Sequence, residues 1–255
     1  MGESEGMSAR AFARGVRIVL ARELGACFDS PIAYVYAAAF LALAGAVFMN
    51  SFFLRGVADM GPYFEVLPYL LIAFAPALTM RIWAEERSQH TFELLMTLPF
   101  HPGQVVLGKY GALLGFYAAV LLGSLPVVAM LAWLGEPDWG VILASYLGAL
   151  LLGAFFLALG QLVSALTRDQ VVAFVLGVLL GFGFVLSGHD RVVEVMDGLA
   201  PAWQAGTWLC ESVSVLPHYQ AFGRGVVRLA DLLYFGLLGA FFLAMNPLVL
   251  RRARQ

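Results

Sequence analysis

The chain has 255 residues, 15 basic against 17 acidic side chains and a net charge of -2; 61% of its residues are hydrophobic and 13% are charged. A soluble domain of this size has too thin a polar shell to cover so much apolar surface, and ordinary soluble chains are about one quarter charged, so this composition calls for lipid as its solvent. No basic tract is long enough to grip nucleic-acid phosphates, and two distant cysteines, Cys27 and Cys210, do not make a zinc cluster.

In chain order, residues 1–31 precede the first apolar run. Met7 to Ala26 reads as an amphipathic helix on the inner membrane surface. Phe12, Val16, Val19 and Leu20 share one face and Arg10, Arg14 and Arg17 the opposite one, with Glu23 interrupting the apolar stripe. A bilayer-crossing helix needs about 20 apolar residues. Residues 32–54 carry no charge before Arg55 and run too long for a signal-peptide core, so they read as a retained span. Residues 66–83 form the second span, bounded by Glu65 and interrupted near its end by Arg81. A loop over 84–109 follows, then spans at 110–135, 139–167 and 170–188. A long segment, 187–228, carries Trp203, Trp208, Tyr219 and Phe222, aromatics suited to an interface. Its apolar stretches are too short to span twice, which predicts a segment that dips into the membrane and returns. The sixth span covers 232–250 and a tail 251–255 ends the chain. The prediction is an all-α membrane protein, a six-helix domain over residues 32–250, because lipid leaves the backbone no partner but its own helix.

Basic residues set the orientation. With the N-terminus inside, eleven of the 15 lie in inner segments and four, Arg55, Arg191, Arg224 and Arg228, in outer ones. Both termini are therefore expected in the cytoplasm, and Cys27 and Cys210 on opposite sides, where no disulfide joins them. Gly111 with Gly115, and Gly177 with Gly181, form G-x-x-x-G pairs that let helices approach closely. The second pair is expected to serve a dimer contact, with packing inside one chain as the alternative. Pro68, Pro76 and Pro126 should kink their spans.

Enzymatic motifs are missing. Gly103 to Tyr110 fits G-x-x-x-x-G-K, but Tyr110 replaces the hydroxyl that holds magnesium and no strand precedes the stretch. It reads as the lead-in to the third span with Lys109 as an inner-face anchor, and the chain is expected to bind no cofactor of its own. Neither HExxH nor GxSxG occurs. Cys210, His189, His218 and Met196 are soft-metal donor types at irregular spacing, so no metal site is expected. Charges stop at the edges of the spans, which removes the usual apparatus of proton- or sodium-coupled carriers. Energy for any transport has to come from outside the chain.

The loop after the second span is where it would enter. Residues 85–98 read as a short helix with Phe92, Leu95 and Met96 on one face and Arg87 and His90 on the other, ended by Pro99 and Pro102. Two readings fit: a helix resting on the bilayer, or an apolar knob offered to a cytoplasmic partner. The run Glu85-Glu86-Arg87-Ser-Gln-His-Thr91-Phe92-Glu93-Leu-Leu95-Met96-Thr-Leu-Pro99 resembles the E-E-(K/R)-x-x-x-T-x-E-x-L-x-x-x-P stretch of ABC-2 type transporter permeases. A second stretch, His218-Tyr-Gln-Ala-Phe222-Gly-Arg224-Gly225 through Asp231, resembles the H-F-x-x-F-x-R-G-V-I-D-x-x-D segment of the gliding-motility and nitrous-oxide-reductase-maturation branch, departing from it at Arg228 and Ala230.

The resemblance implies the permease subunit of an ABC exporter in a bacterial plasma (inner) membrane. It implies a dimer with a second copy or a related chain, with spans one and five near the two-fold axis. It also implies a cytoplasmic ATPase, carrying ATP and magnesium, that docks on the coupling residues Glu85, Glu86, Arg87, Thr91, Phe92, Glu93, Leu95 and Met96. His218, Phe222, Arg224, Gly225 and Asp231 would build the outer re-entrant motif. Membrane lipids are expected neighbours, an outer-surface or periplasmic protein is a candidate partner, and no nucleic acid is expected. Two other classes remain open: a mechanotransmission or scaffold subunit that moves no substrate, and an intramembrane enzyme, for which no converging acid, base or metal site is visible.

Overall fold

A computed structural model describes residues 9–56, 59–88, 101–135, 137–199 and 205–252. All regular structure among these residues is helical: α1 Ala9–Asp29, α2 Pro31–Arg55, α3 Gly61–Thr79, α4 Arg81–Ser88, α5 Pro102–Leu122, α6 Leu125–Leu134, α7 Trp139–Leu166, α8 Gln170–Leu186, α9 Asp190–Leu199, α10 Ala205–Ser212, α11 Leu216–Gly223 and α12 Leu229–Arg252. Five helical stretches are long and apolar enough to cross a bilayer, and α8 with α9 makes a sixth that bends by 80°. The chain is an all-α membrane protein.

The centre of the bundle is α7, which packs against α3, α4, α5, α8, α11 and α12. Small residues permit this. Gly148 receives Phe222, Gly153 receives the Tyr117 ring and Gly160 receives Thr79, each so close that a Cβ would collide. Phe155 of α7 meets Phe184 of α8 at 5.0 Å and Phe242 of α12 at 5.7 Å between ring centroids. Asp138 and Asp169 start α7 and α8 by accepting hydrogen bonds from the first free backbone N–H groups.

Breaks in the spans are closed by hydroxyls and carbonyls of the same chain. Between α3 and α4, Ser164 Oγ accepts from the N–H groups of Trp83 and Ala84 and donates to Met80 O at 3.1 Å. Between α5 and α6, the expected kink lies at Gly123 and Ser124, just before Pro126. There Ser124 Oγ bonds Leu121 O and the Tyr146 hydroxyl, both at 2.6 Å. Lipid could replace none of these partners.

Boundaries differ from the sequence expectation in two places. The helix of the second span begins at Gly61 and so includes Glu65, and that of the third begins at Pro102, so eight residues expected in the loop are already helical. Polar helical turns outside the apolar run explain both, since charge-free length does not see them. The N-terminal amphipathic helix is docked on the bundle. It runs along α5 in the same chain direction: Phe12 beside His101, Val16 and Val19 beside Gly108, Leu20 beside Gly111, Leu24 beside Gly115 and Phe28 beside Phe116. Arg10, Arg14 and Arg17 stay exposed, as their face of the wheel requires.

The pair Gly177 and Gly181 is used within the chain. A Cβ on Gly177 would lie 2.9 Å from Pro76, and one on Gly181 would touch Phe156 and Ile72. The expected dimer contact at these glycines is therefore corrected to packing of α8 on α3. Gly177→Leu is expected to destabilise the purified chain by about 1–3 kcal/mol through overpacking. The loss should be read as a lower Tm that does not vary with protein concentration; a concentration-dependent loss would return the glycine to an intersubunit contact.

Candidate coupling site around Lys109

Lys109 lies one helical stretch into α5, where the apolar run begins, and its side chain is 5% exposed. Its Nζ donates to Glu86 Oε1 of α4 at 2.7 Å and to Glu23 Oε1 of α1 at 3.3 Å. The ammonium also stands 5.4 Å from the centre of the Trp83 ring, within cation–π range. Arg22 extends the set by pairing with Glu23 at 2.6 Å, so two cations and two carboxylates alternate. A charge taken this far out of water is tolerable only with such partners, and removing one from a buried pair typically costs about 3–5 kcal/mol.

Each member is held by its own helix. Gly108 has no Cβ, which lets α1 settle on α5 with Val19 and the Val16 carbonyl against it. One turn earlier, Gln104 Nε2 donates to Phe12 O at 3.2 Å and Gln104 Oε1 accepts from His101 N–H at 2.9 Å. His101 Nδ1 accepts from Gly103 N–H, so the start of α5 is capped and tied to α1 together. Gln161 of α7 fixes the other side by donating to Val106 O at 3.1 Å.

Burial alone would push the Glu23 carboxyl up, but Lys109 and Arg22 outweigh it and hold the group below its ordinary value of 4.5. Burial, with the Glu23 charge, pushes the Cys27 thiol up. Both residues face a cavity of about 500 Å³ between α1, α2, α3 and α5, bordered also by Tyr36, Arg81, Glu86 and Lys109.

Of the expected coupling residues, Glu86 is placed in this cluster. Glu85 and Arg87 belong to α4, while Thr91, Phe92, Glu93, Leu95 and Met96 lie outside the described residues. Lys109, read from sequence as an inner-face anchor, is buried, and Glu23, which seemed to spoil the apolar face of α1, is its partner. The signal in both cases was a charge at odds with its helix face.

At the opposite end of the bundle the structure brings the second motif together. His218 Nδ1 meets Asp231 Oδ1 at 2.7 Å, and the His218 ring stacks on Tyr234 at 4.1 Å. Phe222 is fully buried against Gly148 and Phe235. Gly225 turns the chain with φ +76, a conformation that a side chain would strain, and sits against Val141. Tyr219 OH donates to Phe64 O of α3 at 2.8 Å. These contacts fold α11 back onto α3, α7 and α12, so the segment returns into the bundle after the bend. Arg224 closes α11 and is exposed; Trp203 lies outside the described residues. Cys27 and Cys210 are free thiols, and no group of three metal-ligating side chains occurs among the described residues.

Residues 54–230, well over half of the chain, match the model of a family described as ABC-2 family transporter proteins. No curated protein matches the sequence.

Two outcomes test this geometry. Because the Glu23 pKa is lowered on folding, the docking of α1 is strengthened by that group above pH 4.5 and loses its contribution as pH falls through the lowered value. Hydrogen exchange over residues 9–29, corrected for the intrinsic pH dependence, should stay protected at neutral pH and open only in that acid window. His218→Ala removes the partner of a buried carboxylate and should lower Tm by an amount equivalent to about 1–3 kcal/mol, with proteolysis first appearing between residues 205 and 228.

Proposed function

The chain belongs to the ABC-2 transporter family, and on that premise we propose that it is the membrane subunit of an ATP-driven exporter, driven by a separate cytoplasmic ATPase through the Lys109 cluster. The observation that carries the reading is the pair of contacts from Lys109 to Glu86 and Glu23. Residues 85–98, where the resemblance places the coupling helix, begin within α4 and continue into the loop after it. A partner pressing on that loop displaces α4. Glu86 passes the displacement to Lys109, and Lys109 passes it to Glu23 and α1. One residue, Ser30, separates α1 from α2, so a tilt of α1 is inherited by the first span. The cavity that these helices border changes shape with them.

The basic-residue asymmetry supports a cytoplasmic Lys109 end, with both termini on that side. The ATPase supplies ATP and magnesium, and a second permease copy or a related chain completes the assembly in the plasma membrane. The resemblance of residues 218–231 to the gliding-motility and nitrous-oxide-reductase-maturation permeases supports that branch. Transport chemistry on this chain needs no catalytic residue: its work is to convert a push on one loop into a rearrangement of spans.

Reconstitution with its ATPase tests the reading. Lys109→Met combined with Glu23→Gln and Glu86→Gln replaces the cluster by neutral groups of similar size, which keeps buried charge from being orphaned. This triple variant should fold and bind the ATPase, yet lose most of the permease-dependent stimulation of ATP hydrolysis, about tenfold or more. Phe92→Ala should instead weaken ATPase association by about thirtyfold, as truncation of an interface anchor does. Full stimulation by the triple variant would remove the cluster from the coupling route.

A further inference from the structure

We propose that the cavity between α3 and α11, at the end of the bundle opposite Lys109, binds the headgroup of a zwitterionic phospholipid, with Glu65 taking the ammonium and Arg224 the phosphate. The cavity measures about 470 Å³ and is walled by Phe64, Pro68, Leu216 and Tyr219, a size and lining typical of small-ligand sites. Glu65 stands in the second turn of α3 and Arg224 closes α11. Both are exposed to the cavity, and neither forms an ion pair among the described residues.

Two opposite charges that share one cavity without neutralising each other define a ligand. An anion alone would gain Arg224 and be repelled by Glu65, and a cation alone would meet the reverse. A molecule carrying both signs satisfies both, and guanidinium matches a phosphate in two-pronged geometry. The walls are in place before any ligand arrives, because the Tyr219 hydroxyl is bonded to the carbonyl of Phe64, the residue preceding Glu65. Glu65 also stands in the turn just before the apolar run of the second span, the level at which lipid headgroups lie.

The neighbouring space makes the ligand a lipid. A second cavity of about 380 Å³ between α2 and α3 shares Glu65 and Tyr69 with the first and is bordered by Val47, Leu54 and Val66. A headgroup held between Glu65 and Arg224 therefore has a groove beside it for its glycerol backbone and acyl chains, with Asn50 and Ser51 lining it beside the apolar side chains. Tyr69, half exposed at the junction, supplies an aromatic ring of the kind that adds to ammonium binding. As the substrate class of the exporter this inference rests on the transporter reading; the binding itself does not.

The test uses the purified chain in detergent, without ATPase, and native mass spectrometry against equal amounts of phosphatidylethanolamine and phosphatidylglycerol. The zwitterionic lipid should be retained about tenfold over the anionic one, the factor that one charge-assisted contact supplies. Glu65→Gln should abolish that preference by lowering phosphatidylethanolamine retention and raising that of phosphatidylglycerol, and Arg224→Gln should weaken retention of both lipids. Both side chains are exposed, so Tm should not move. Equal retention of the two lipids by the unaltered chain, or an unchanged preference in Glu65→Gln, would overturn the site. Displacement of phosphatidylethanolamine by free O-phosphoethanolamine at the same concentration would overturn the lipid assignment in favour of a soluble zwitterion. Neither result depends on ATP hydrolysis, so failure here leaves the Lys109 coupling intact, and failure there leaves this site intact.

Discussion

A lysine ammonium withdrawn from water must find its counter-charges inside the protein, and Lys109 finds them 23 and 86 residues away along the chain. That requirement fixes the relation of three helices. Glu86 must sit at the end of the second span and Glu23 must sit on α1, so α1 has to be docked along α5. The glycines at 108, 111 and 115 give it the seat, and Gln104 ties down its beginning. Charge satisfaction and close packing thus select the same arrangement. The charges supply direction, since apolar contacts alone would let α1 slide.

The same logic governs the backbone. Spans broken at Met80 and at Gly123 would expose polar groups to lipid; Ser164 of α7 meets them at the first break, and Ser124, itself bonded to Tyr146 of α7, meets them at the second. A broken helix held by a single hydroxyl is a joint with defined partners. Its location beside α4 puts one such joint at the point where the loop 89–100 is attached. At the other end, the chain bends by 80° after α8, and α11 packs back onto α3, α7 and α12, pinned through His218, Phe222 and Tyr219.

The two ends are accordingly built from different chemistry. One is an alternating set of charges around the buried Lys109, linking α1, α4 and α5. The other is an aromatic hairpin with a carboxylate and a guanidinium left facing a common cavity. Between them α7 is the common neighbour of six helices, so the two ends are joined through a single packed element.

Composition and charge-free length by themselves determined the membrane class and the approximate positions of the spans, because lipid imposes a length and a polarity that no tertiary context relaxes. The motif around Glu85 and the one around His218 marked the two ends of the molecule. What the sequence could not show was which charges were spent inside. Glu23 read as a flaw in a stripe, Lys109 as an inner-face anchor and Glu65 as the boundary of a span, since periodicity measures a residue against its own helix only. Gly177 and Gly181 likewise announced a close contact without naming its partner, and α3 of the same chain took it. Partners of charges and of small residues are chosen by helices distant in sequence, so they are settled only when the bundle closes.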